Sequence, residues 1–199
     1  MGIDVFSIKS IKTIIPYIAE QLTDIFNKSI VSGIFPDSLK YDIITSVFKT
    51  EDKCMVGNYG PICVLPVFSI VLEKLMHKRL VSFLVDKCNV IKTNQYGFRE
   101  NYATYMTLLT MLDQISQAID NNKYASGLLT DFSKVFNTIE HHILLQKLAT
   151  YNIIGNALKW LSSYLSERTH CVSPGDIRSI RSNFSTIRCG VPQLSVLVP

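Results

Sequence analysis

The residues best placed to do chemistry are an aspartate at the end of an apolar run and the side chains just after it. Residues 124–130 read Tyr-Ala-Ser-Gly-Leu-Leu-Thr, and Asp131 closes the run. A short apolar stretch of this kind favours a β-strand, whose C-terminal end would hold the carboxylate on rigid backbone, where it can bind a metal ion. A single aspartate after a strand is more often a turn or capping residue, so this pattern by itself leaves both interpretations open.

Other metal-based or sulfur-based chemistry finds little support in the side chains. The five cysteines are odd in number and include no Cys-x-x-Cys pair, so neither a zinc site nor a disulfide framework is indicated. Buried, reduced thiols of an intracellular protein are the favoured interpretation. His141 and His142 are neighbours without metal-ligand spacing, and we interpret them as residues at the start of a helix.

The composition indicates a folded, mildly basic protein. The chain has 199 residues, of which 47% are hydrophobic and 18% charged, so it can form a packed core and is not expected to be disordered. Its formal net charge of +4 is compatible with nucleic acid but does not require it. No run reaches the ~18 apolar residues of a membrane span, and residues 1–6 resemble neither a secretory nor a lipidation signal. We therefore expect an intracellular protein, in the nucleus or the cytoplasm, with no membrane partner, and leave its oligomeric state open.

Helices alternate with a few short strands along the chain, which favours an α+β or mixed α/β fold. Apolar residues at helical spacing predict helices at residues 8–30, 66–88, 104–120, 138–152 and 155–167. Residues 41–49 and 124–131 are predicted to be strands, and residues 169–189 a hairpin that turns at Pro174-Gly175.

Three local signals refine this layout. Pro16 is expected to kink or split the first helix, because proline removes a main-chain donor and its ring crowds the preceding turn. Residues 51–61 are polar and contain glycine, which indicates a loop. Asn137 is expected to cap the fourth helix, with Glu140 as its capping-box partner.

Five segments, in order and at plausible spacing, resemble the reverse transcriptases of non-long-terminal-repeat retrotransposons. Together they cover the chain from about Gly33 to its end. The segments are Gly33-Ile-Phe-Pro-Asp37 through Lys49, Asn58-Tyr59-Gly60-Pro61-Ile62 through Leu75, Gln95-Tyr96-Gly97-Phe98-Arg99, Asp131-Phe-Ser-Lys-Val-Phe136-Asn137-Thr138, and Gly190-Val191-Pro192-Gln193-Leu194-Ser195-Val-Leu-Val198-Pro199. A group II intron maturase is a weaker match, because the Asp131 and Gly190 segments look more like the retrotransposon versions.

The resemblance implies a right-hand polymerase, mostly helical, with a small antiparallel sheet in its palm. On this basis residues 1–32 are a helical lead-in, residues 33–122 a fingers-like region and residues 123–199 part of a palm. The resemblance also implies RNA-directed DNA polymerase activity, with an RNA template, a DNA primer and deoxynucleotides as partners.

The same resemblance implies roles for individual residues. Asp131 matches the first palm aspartate, which binds both of the Mg²⁺ ions that such enzymes use. Phe136 matches the aromatic residue that blocks a ribose 2′-hydroxyl, and Gln193 matches a glutamine that contacts the incoming nucleotide. Lys49 lies near the lysine that meets the triphosphate, and Arg99 matches an arginine that we assign to the same nucleotide site.

Five residues depart from the family pattern, one of which is Glu140, at a position where an aspartate often occurs. Gly60 stands where the family's Asn-Tyr-Arg-Pro-Ile motif has an arginine that grips the triphosphate, and glycine supplies no bidentate cation. Leu194 and Val198 replace two glycines at which backbone passes close to template and nucleotide. Asn137 replaces an aspartate that usually follows the aromatic residue.

The sequence stops before the Tyr-Ala-Asp-Asp type hairpin, which is expected beyond Pro199 and would complete the metal site. We therefore expect a truncated remnant that is inactive as a polymerase by itself. Two alternatives stay open, a folded remnant without a role and a non-catalytic nucleic-acid-binding module. The basic candidates for such a module are Lys49, Lys53, Lys74, Lys78, Arg79 and Arg99.

Overall fold

The fold is an α+β arrangement of helices and one small sheet, which confirms the predicted class. The computed structural model describes residues 8–49, 52–87, 90–132, 135–174, 181–192 and 195–197. The helices of these residues are α1 (Ile8–Ser32), α2 (Val67–Ser82), α3 (Thr104–Asp120), α4 (His141–Thr150) and α5 (Gly155–Leu165). The strands are β1 (Tyr41–Phe48), β2 (Tyr59–Val64), β3 (Thr169–Pro174) and β4 (Ser185–Thr186).

The chain divides into two compact units. Unit 1 combines residues 1–80 with residues 134–199, and unit 2 comprises residues 81–133. All four strands belong to unit 1. In the described part of the chain, α2 continues into a π-helical turn, Phe83–Lys87, as the predicted helix over residues 66–88 requires.

The sheet is mixed, not antiparallel as predicted. Its strand order is β2-β1-β3-β4, with β1 antiparallel to β2, parallel to β3, and β3 antiparallel to β4. A parallel pair needs a long crossover, and the chain between β1 and β3 supplies one. The predicted hairpin over residues 169–189 is confirmed by the β3–β4 pair, while its predicted turn at Pro174-Gly175 extends beyond the described residues.

One strand prediction was wrong, and one loop prediction was wrong at its end. Residues 124–131 form no strand, and Tyr124, Leu128 and Leu129 are 104%, 91% and 89% exposed. A strand exists only where a neighbour receives its main-chain hydrogen bonds, and none of the described strands pairs with this run. Conversely, β2 begins inside the predicted loop over residues 51–61. It is an edge strand that pairs with β1 on one side, and an edge strand tolerates a proline such as Pro61.

Helix α1 runs unbroken through Pro16, so the proline does not split it. The helix stops at Gly33, whose φ of +71° is unfavourable for other residues, and a Cβ there would lie 2.9 Å from the Cβ of Lys159 in α5. Glycine therefore permits both the left-handed turn and the close approach of the two helices. Asn156 Nδ2 then donates to the main-chain oxygen of Val31 at 2.6 Å, which satisfies one carbonyl at the helix end.

The core of unit 1 is an aromatic cluster between α5 and the turn after α1. Phe35 packs edge-on against Trp160 and Tyr164, with ring centroids 5.2 and 5.1 Å apart, and all three side chains are buried. Edge-to-face contacts of this kind add to the hydrophobic gain of burial. Trp160 Nε1 donates to Ser29 Oγ at 3.0 Å, so the indole nitrogen keeps a partner inside the core.

Unit 2 contains α3, which has the bounds that the sequence predicts. None of its residues is buried, and its apolar positions Leu108, Leu112 and Ile119 are more than half exposed. Among the described residues, no helix combines the length and the apolar character needed to cross a membrane.

Candidate functional site

The fourth and fifth sequence segments meet through main-chain hydrogen bonds. The N–H of Val191 donates to the carbonyl of Phe136 at 2.9 Å, and the N–H of Gly190 donates to the carbonyl of Ile139 at 2.8 Å. His141 Nε2 lies 2.7 Å from the carbonyl oxygen of Gly190; because that oxygen only accepts, Nε2 carries the proton. We call residues 135–141 together with residues 190–192 the junction.

Gly190 makes the junction possible. Its φ is +81°, and a Cβ at this position would lie 2.8 Å from the main-chain oxygen of Asn137. The backbone conformation disfavours any other residue, and the space excludes a side chain. The sequence motif thus contains a glycine for a local steric reason.

Asn137 does not cap α4, contrary to the prediction. It ends a 3₁₀ turn, Val135–Asn137, and α4 starts later, at His141, after Glu140. Glu140 makes no side-chain capping bond. Residues 136–139 do not join the helix. The carbonyls of Phe136 and Ile139 instead accept hydrogen bonds from Val191 and Gly190.

A mostly apolar cavity of about 230 Å³ lies between the junction and one face of the sheet. Its lining includes Pro61 and Cys63 from β2, His170 from β3, and Asn137 and Val191 from the junction. Burial raises the pKa of the Cys63 thiol to about 12, and the neighbouring Asp42 carboxylate adds to the rise.

Lys49 lies on the other face of the sheet. Its side chain passes over Gly60, where a Cβ would overlap Lys49 Cε and lie 3.2 Å from Nζ. Alternate residues of a strand point to opposite faces, so Gly60 and Lys49 face away from Pro61 and Cys63. The terminal methylene of Lys49 therefore occupies the space in which a side chain at residue 60 would begin, and the ammonium group lies beside it.

The other two predicted residues belong to unit 2. Asp131 lies in an irregular, exposed segment. Arg99 organises its own loop: Nη1 donates to the main-chain oxygens of Lys92 and Gln95 at 3.3 and 3.2 Å, and the guanidinium lies 4.0 Å from the centre of the Tyr102 ring. Gln193, Leu194 and Val198 lie outside the described residues.

A buried charge cluster in unit 1 escaped the sequence analysis. Arg168 binds Asp42 with both arms of its guanidinium, Nε to Oδ2 at 3.0 Å and Nη2 to Oδ1 at 2.6 Å, and both side chains are at most 1% exposed. Nearby, Glu73 is fully buried. Tyr164 OH donates to Glu73 Oε1 at 3.2 Å, and the Arg168 guanidinium lies 4.7 Å from the centre of the Tyr164 ring.

Burial sets the titration of this cluster. It raises the pKa of Glu73 and of Asp42, in both cases against the opposing effect of the Arg168 charge. Burial likewise raises the pKa of Tyr164 well above its usual value, and the Glu73 charge adds to the rise. One guanidinium serves two carboxylates, so the ionised cluster carries an uncompensated buried negative charge, which is costly.

Comparison of the chain with known protein families identifies the family to which it belongs. The family model described as reverse transcriptase (RNA-dependent DNA polymerase) matches residues 48–199. The chain belongs to the reverse transcriptase family. The match covers β2, the junction and most of the buried cluster. It also contains the last four of the five segments that carry the resemblance, and the final two residues of the first segment.

Retrotransposon proteins are among the relatives of this reverse transcriptase chain. The probable RNA-directed DNA polymerase from the transposon X-element of Drosophila melanogaster is 31% identical over 179 residues, which are 89% of this chain and 19% of the relative. A protein of a type-1 retrotransposable element of the same species is 29% identical over 92% of this chain and 17% of its own length. A retrovirus-related Pol polyprotein of such an element in Bradysia coprophila is 26% identical over 78% of this chain and 15% of its own length.

These matches confirm the resemblance to reverse transcriptases of non-long-terminal-repeat retrotransposons. The chain spans less than a fifth of the length of these relatives. It therefore corresponds to part of a reverse transcriptase domain.

Proposed function

We propose that this chain forms the fingers and the first part of the palm of a right-hand RNA-directed DNA polymerase, and that unit 1 binds the incoming deoxynucleotide. Residues 33–122 would be the fingers and residues 123–199 the palm portion, with residues 1–32 as a helical lead-in. The observation that carries the proposal is the junction, because it joins the segment of Phe136 to the segment of Gln193 through paired main-chain bonds. The substrates would be an RNA template, a DNA primer and deoxynucleotides.

In this proposal Phe136 and Gln193 act on the same nucleotide. The Phe136 ring would lie against the sugar and exclude a 2′-hydroxyl, and Gln193 would contact the nucleotide from the adjoining segment. The hydrogen bond from the N–H of Val191 to the carbonyl of Phe136 supports this shared role, because it holds the two segments side by side. The nucleotide role of Arg99, which belongs to unit 2, stays a prediction from the family resemblance.

The role of Lys49 as the cation for the triphosphate rests on the family resemblance alone, because its side chain lies over Gly60, on the face of the sheet opposite the junction. Its ammonium group already lies over Gly60. An ammonium is a compact point charge, whereas a guanidinium binds phosphate through two parallel hydrogen bonds. We therefore propose weak nucleotide binding and no polymerisation by this chain alone.

The metal role of Asp131 stays a prediction. The family implies divalent ions, with Mg²⁺ the expected one. Mg²⁺ requires several oxygen ligands at close range, and among the described residues no three His, Cys, Asp or Glu side chains are grouped so that they could hold a metal ion. The described residues thus do not fit a complete Mg²⁺ site, and no step of the proposal depends on one.

The first test is nucleotide binding by the full chain, measured with a fluorescent deoxynucleoside triphosphate and its ribonucleotide analogue. Wild-type protein is expected to bind the deoxynucleotide more tightly. Phe136→Val should reduce this preference about tenfold or more, because the larger sugar then fits. Phe184→Val, at a half-exposed phenylalanine of the same unit, is the matched control. Equal binding of both nucleotides by the wild type would overturn the proposal.

The second test is primer extension on an RNA template with magnesium or manganese, with Asp131→Ala as control. We expect no extension by the wild type. Extension that is lost in Asp131→Ala would show a complete active site and contradict the proposed inactivity.

A non-catalytic nucleic-acid-binding module is the second candidate, and the outer end of the β1–β2 pair favours it. Phe48 and Tyr59 pack edge-on there with ring centroids 5.5 Å apart, and Lys53 Nζ lies 5.7 Å from the centre of the Phe48 ring. A partly exposed aromatic pair beside a cation suits stacked bases and phosphates of a single strand. Binding of single-stranded RNA that weakens steeply with salt, and weakens further in Phe48→Ala, is expected of this module.

A further inference from the structure

The aromatic pair of Phe48 and Tyr59 lies on the same face of the sheet as the cavity beside the junction. Phe48 is paired with Tyr59 across β1 and β2, and Ile44 is paired with Cys63 further along the same two strands. Because alternate residues of a strand share a face, the two rings point to the side on which Ile44, Pro61 and Cys63 line the cavity. Two residues of β2 separate Tyr59 from Pro61, which is about 7 Å along the strand.

The cavity has the size and the walls that a flat ring requires. Its volume is about 230 Å³, whereas an apolar protein cavity of about 150 Å³ already holds benzene. The apolar part of its lining consists of Ile44, Pro61, Ile187, Val191 and Pro192. A heteroaromatic ring of the size of a nucleobase therefore fits between these side chains.

His170 gives the cavity a polar group that suits the edge of such a ring. Its Nδ1 is enclosed and has no hydrogen-bond partner among the described residues, so the open edge of the imidazole is the one that includes Nε2. Since no hydrogen bond of the described residues to Nδ1 fixes the tautomer, Nε2 is able either to donate or to accept. Bases present both donors and acceptors on their edges, and His170 is able to pair with either.

The charges around the cavity favour a polyanion. No aspartate or glutamate is among the described residues that line it. Lys53 is exposed beside the Phe48 ring, and the exposed Arg188 lies between the lining residues Ile187 and Cys189. Neither cation has an acidic partner among the described ion pairs. A phosphate backbone that passes over the cavity would thus meet a free cation on either side.

We infer that the cavity receives one unpaired base of a single-stranded RNA, while the neighbouring base stacks on the pair of Phe48 and Tyr59. His170 would hydrogen-bond the edge of the inserted base, and Lys53 and Arg188 would attract the phosphates. This inference rests on the proposed binding of single-stranded RNA and names the site that selects it. A free nucleoside offers the same ring, but it has neither the second base nor the phosphates of a strand.

The first test separates the base from the phosphates. Binding of a short labelled RNA by the full chain is compared with binding of the same RNA in which the central bases are replaced by abasic sites. Both RNAs carry the same phosphates. We expect the abasic RNA to bind about tenfold more weakly or less tightly still, because base–aromatic contacts contribute strongly to single-strand binding. Equal affinities would overturn the inference.

The second test fills the cavity. Ile44→Phe places a larger side chain in it and should weaken binding of the intact RNA about tenfold, with little effect on the abasic RNA. Val47→Phe is the matched control, because Val47 lies on the opposite face of the same strand and is 43% exposed. Equal losses in the two variants would overturn the inference. Should Ile44→Phe not fold, Ile187→Phe fills the cavity from another wall and decides.

The third test asks what the base touches. An RNA with a photoreactive 4-thiouridine is irradiated with the protein, and the cross-linked peptides are identified by mass spectrometry. We expect cross-links within residues 59–64 or 187–192 that disappear in Ile44→Phe; cross-links confined to other peptides would contradict the site. His170→Phe keeps a ring without its nitrogens and should weaken binding of the intact RNA about two- to tenfold.

Free 4-thiouridine nucleoside distinguishes the two sources of the base. It is expected to cross-link the same peptides only at far higher concentration than the RNA. Cross-linking by the nucleoside at the same concentration as the RNA would show that the strand adds nothing, and would overturn the inference.

The failures of the proposals differ. If wild-type protein binds no single-stranded RNA, the RNA-binding module and this inference are both wrong, and the deoxynucleotide proposal is decided by its own binding test. If wild-type protein binds intact and abasic RNA equally, only the base cavity is wrong.

Discussion

Arg168 and Asp42 form a bidentate ion pair inside unit 1, with both side chains removed from solvent. The pair joins the residue before β3 to the second residue of β1, the two strands that run parallel at the centre of the sheet. Its geometry is that of the strongest guanidinium–carboxylate contacts, and it thereby holds together parts of the chain that are far apart in sequence.

Breaking this pair from one side should be severely destabilising. Arg168→Leu would leave Asp42 and Glu73 without their shared cation, and we expect a loss of ~3–5 kcal/mol in the free energy of unfolding, measured by urea denaturation. The control is Glu140→Ala, which breaks the contact between the exposed side chains of Glu140 and His142 and should cost less than about 1 kcal/mol. Similar losses in the two variants would contradict the assigned role of the buried pair.

Gly190→Ala should damage the junction. The substitution combines an unfavourable positive φ with a Cβ that would meet the backbone of Asn137, and we expect a loss of about 1–3 kcal/mol. Deoxynucleotide binding should fall in parallel, because the Phe136 and Val191 segments separate. Gly57→Ala, where no atom lies within 4 Å of the new Cβ, should change the free energy of unfolding by no more than about 0.5 kcal/mol. Near-wild-type stability and binding of Gly190→Ala would speak against the junction.

Gly60→Arg should strengthen nucleotide binding. The new side chain displaces only the flexible end of Lys49 and adds a guanidinium that binds phosphate through two hydrogen bonds. We expect about tenfold tighter binding of a deoxynucleoside triphosphate, with a smaller gain for the monophosphate. Gly57→Arg makes the same change of charge near the same loop and is expected to have little effect; an equal gain there would indicate nonspecific attraction.

The Cys63 thiol should make the protein less stable in alkali. Its pKa is raised from 9.0 to about 12 in the folded protein, so above pH 9 the unfolded chain releases a proton that the folded chain keeps. The stability contributed by this thiol is fully present below pH 9 and falls as the pH rises towards 12, by about 1.4 kcal/mol per pH unit. Urea denaturation in reductant between pH 8.5 and 10 measures the slope. Cys63→Ala should flatten it, and an unchanged slope in that variant would refute the assignment to Cys63.

Glu73 should act with the same sign in the acid range. Burial raises its pKa, so the folded protein holds the proton at pH values where the unfolded chain has lost it. The stability from this group is therefore present below the unfolded value of about 4.5 and is lost as the pH rises through the folded value. Glu73→Gln, which does not titrate, should show a smaller decrease in the free energy of unfolding between pH 4.5 and 7. A steeper decrease in the variant would contradict this sign.

Local pattern predicted the helices well and the strands only in part. The apolar spacing of α3 predicted its bounds correctly, yet its apolar side is exposed, because periodicity reports the helix and not what lies beside it. The apolar run before Asp131 had the composition of a strand, but pairing depends on a neighbour that composition does not reveal. The same limit hid β2, whose Gly60 and Pro61 look like loop residues until β1 pairs with them.

The candidate site shows the same division. The Gly190 motif was recognisable, since its glycine answers a local steric demand. The Glu73 cluster was not, because Tyr164 and Val196 lie 91 and 123 residues away from Glu73 in sequence. Buried charges carry no local signature, and a lone glutamate on a helix is usually solvent-exposed.

The discontinuous course of unit 1 has a consequence for synthesis and folding. Phe35 and Ser163, which share a hydrogen bond, are 128 residues apart, and β1 acquires its parallel neighbour only when β3 has left the ribosome. Contacts of such long range must overcome a large loop-closure entropy and slow the folding of a domain. During translation, β1 and β2 can therefore form a hairpin whose β1 edge is unpaired until residues 169–174 emerge. We expect chaperones to bind this hairpin in that interval.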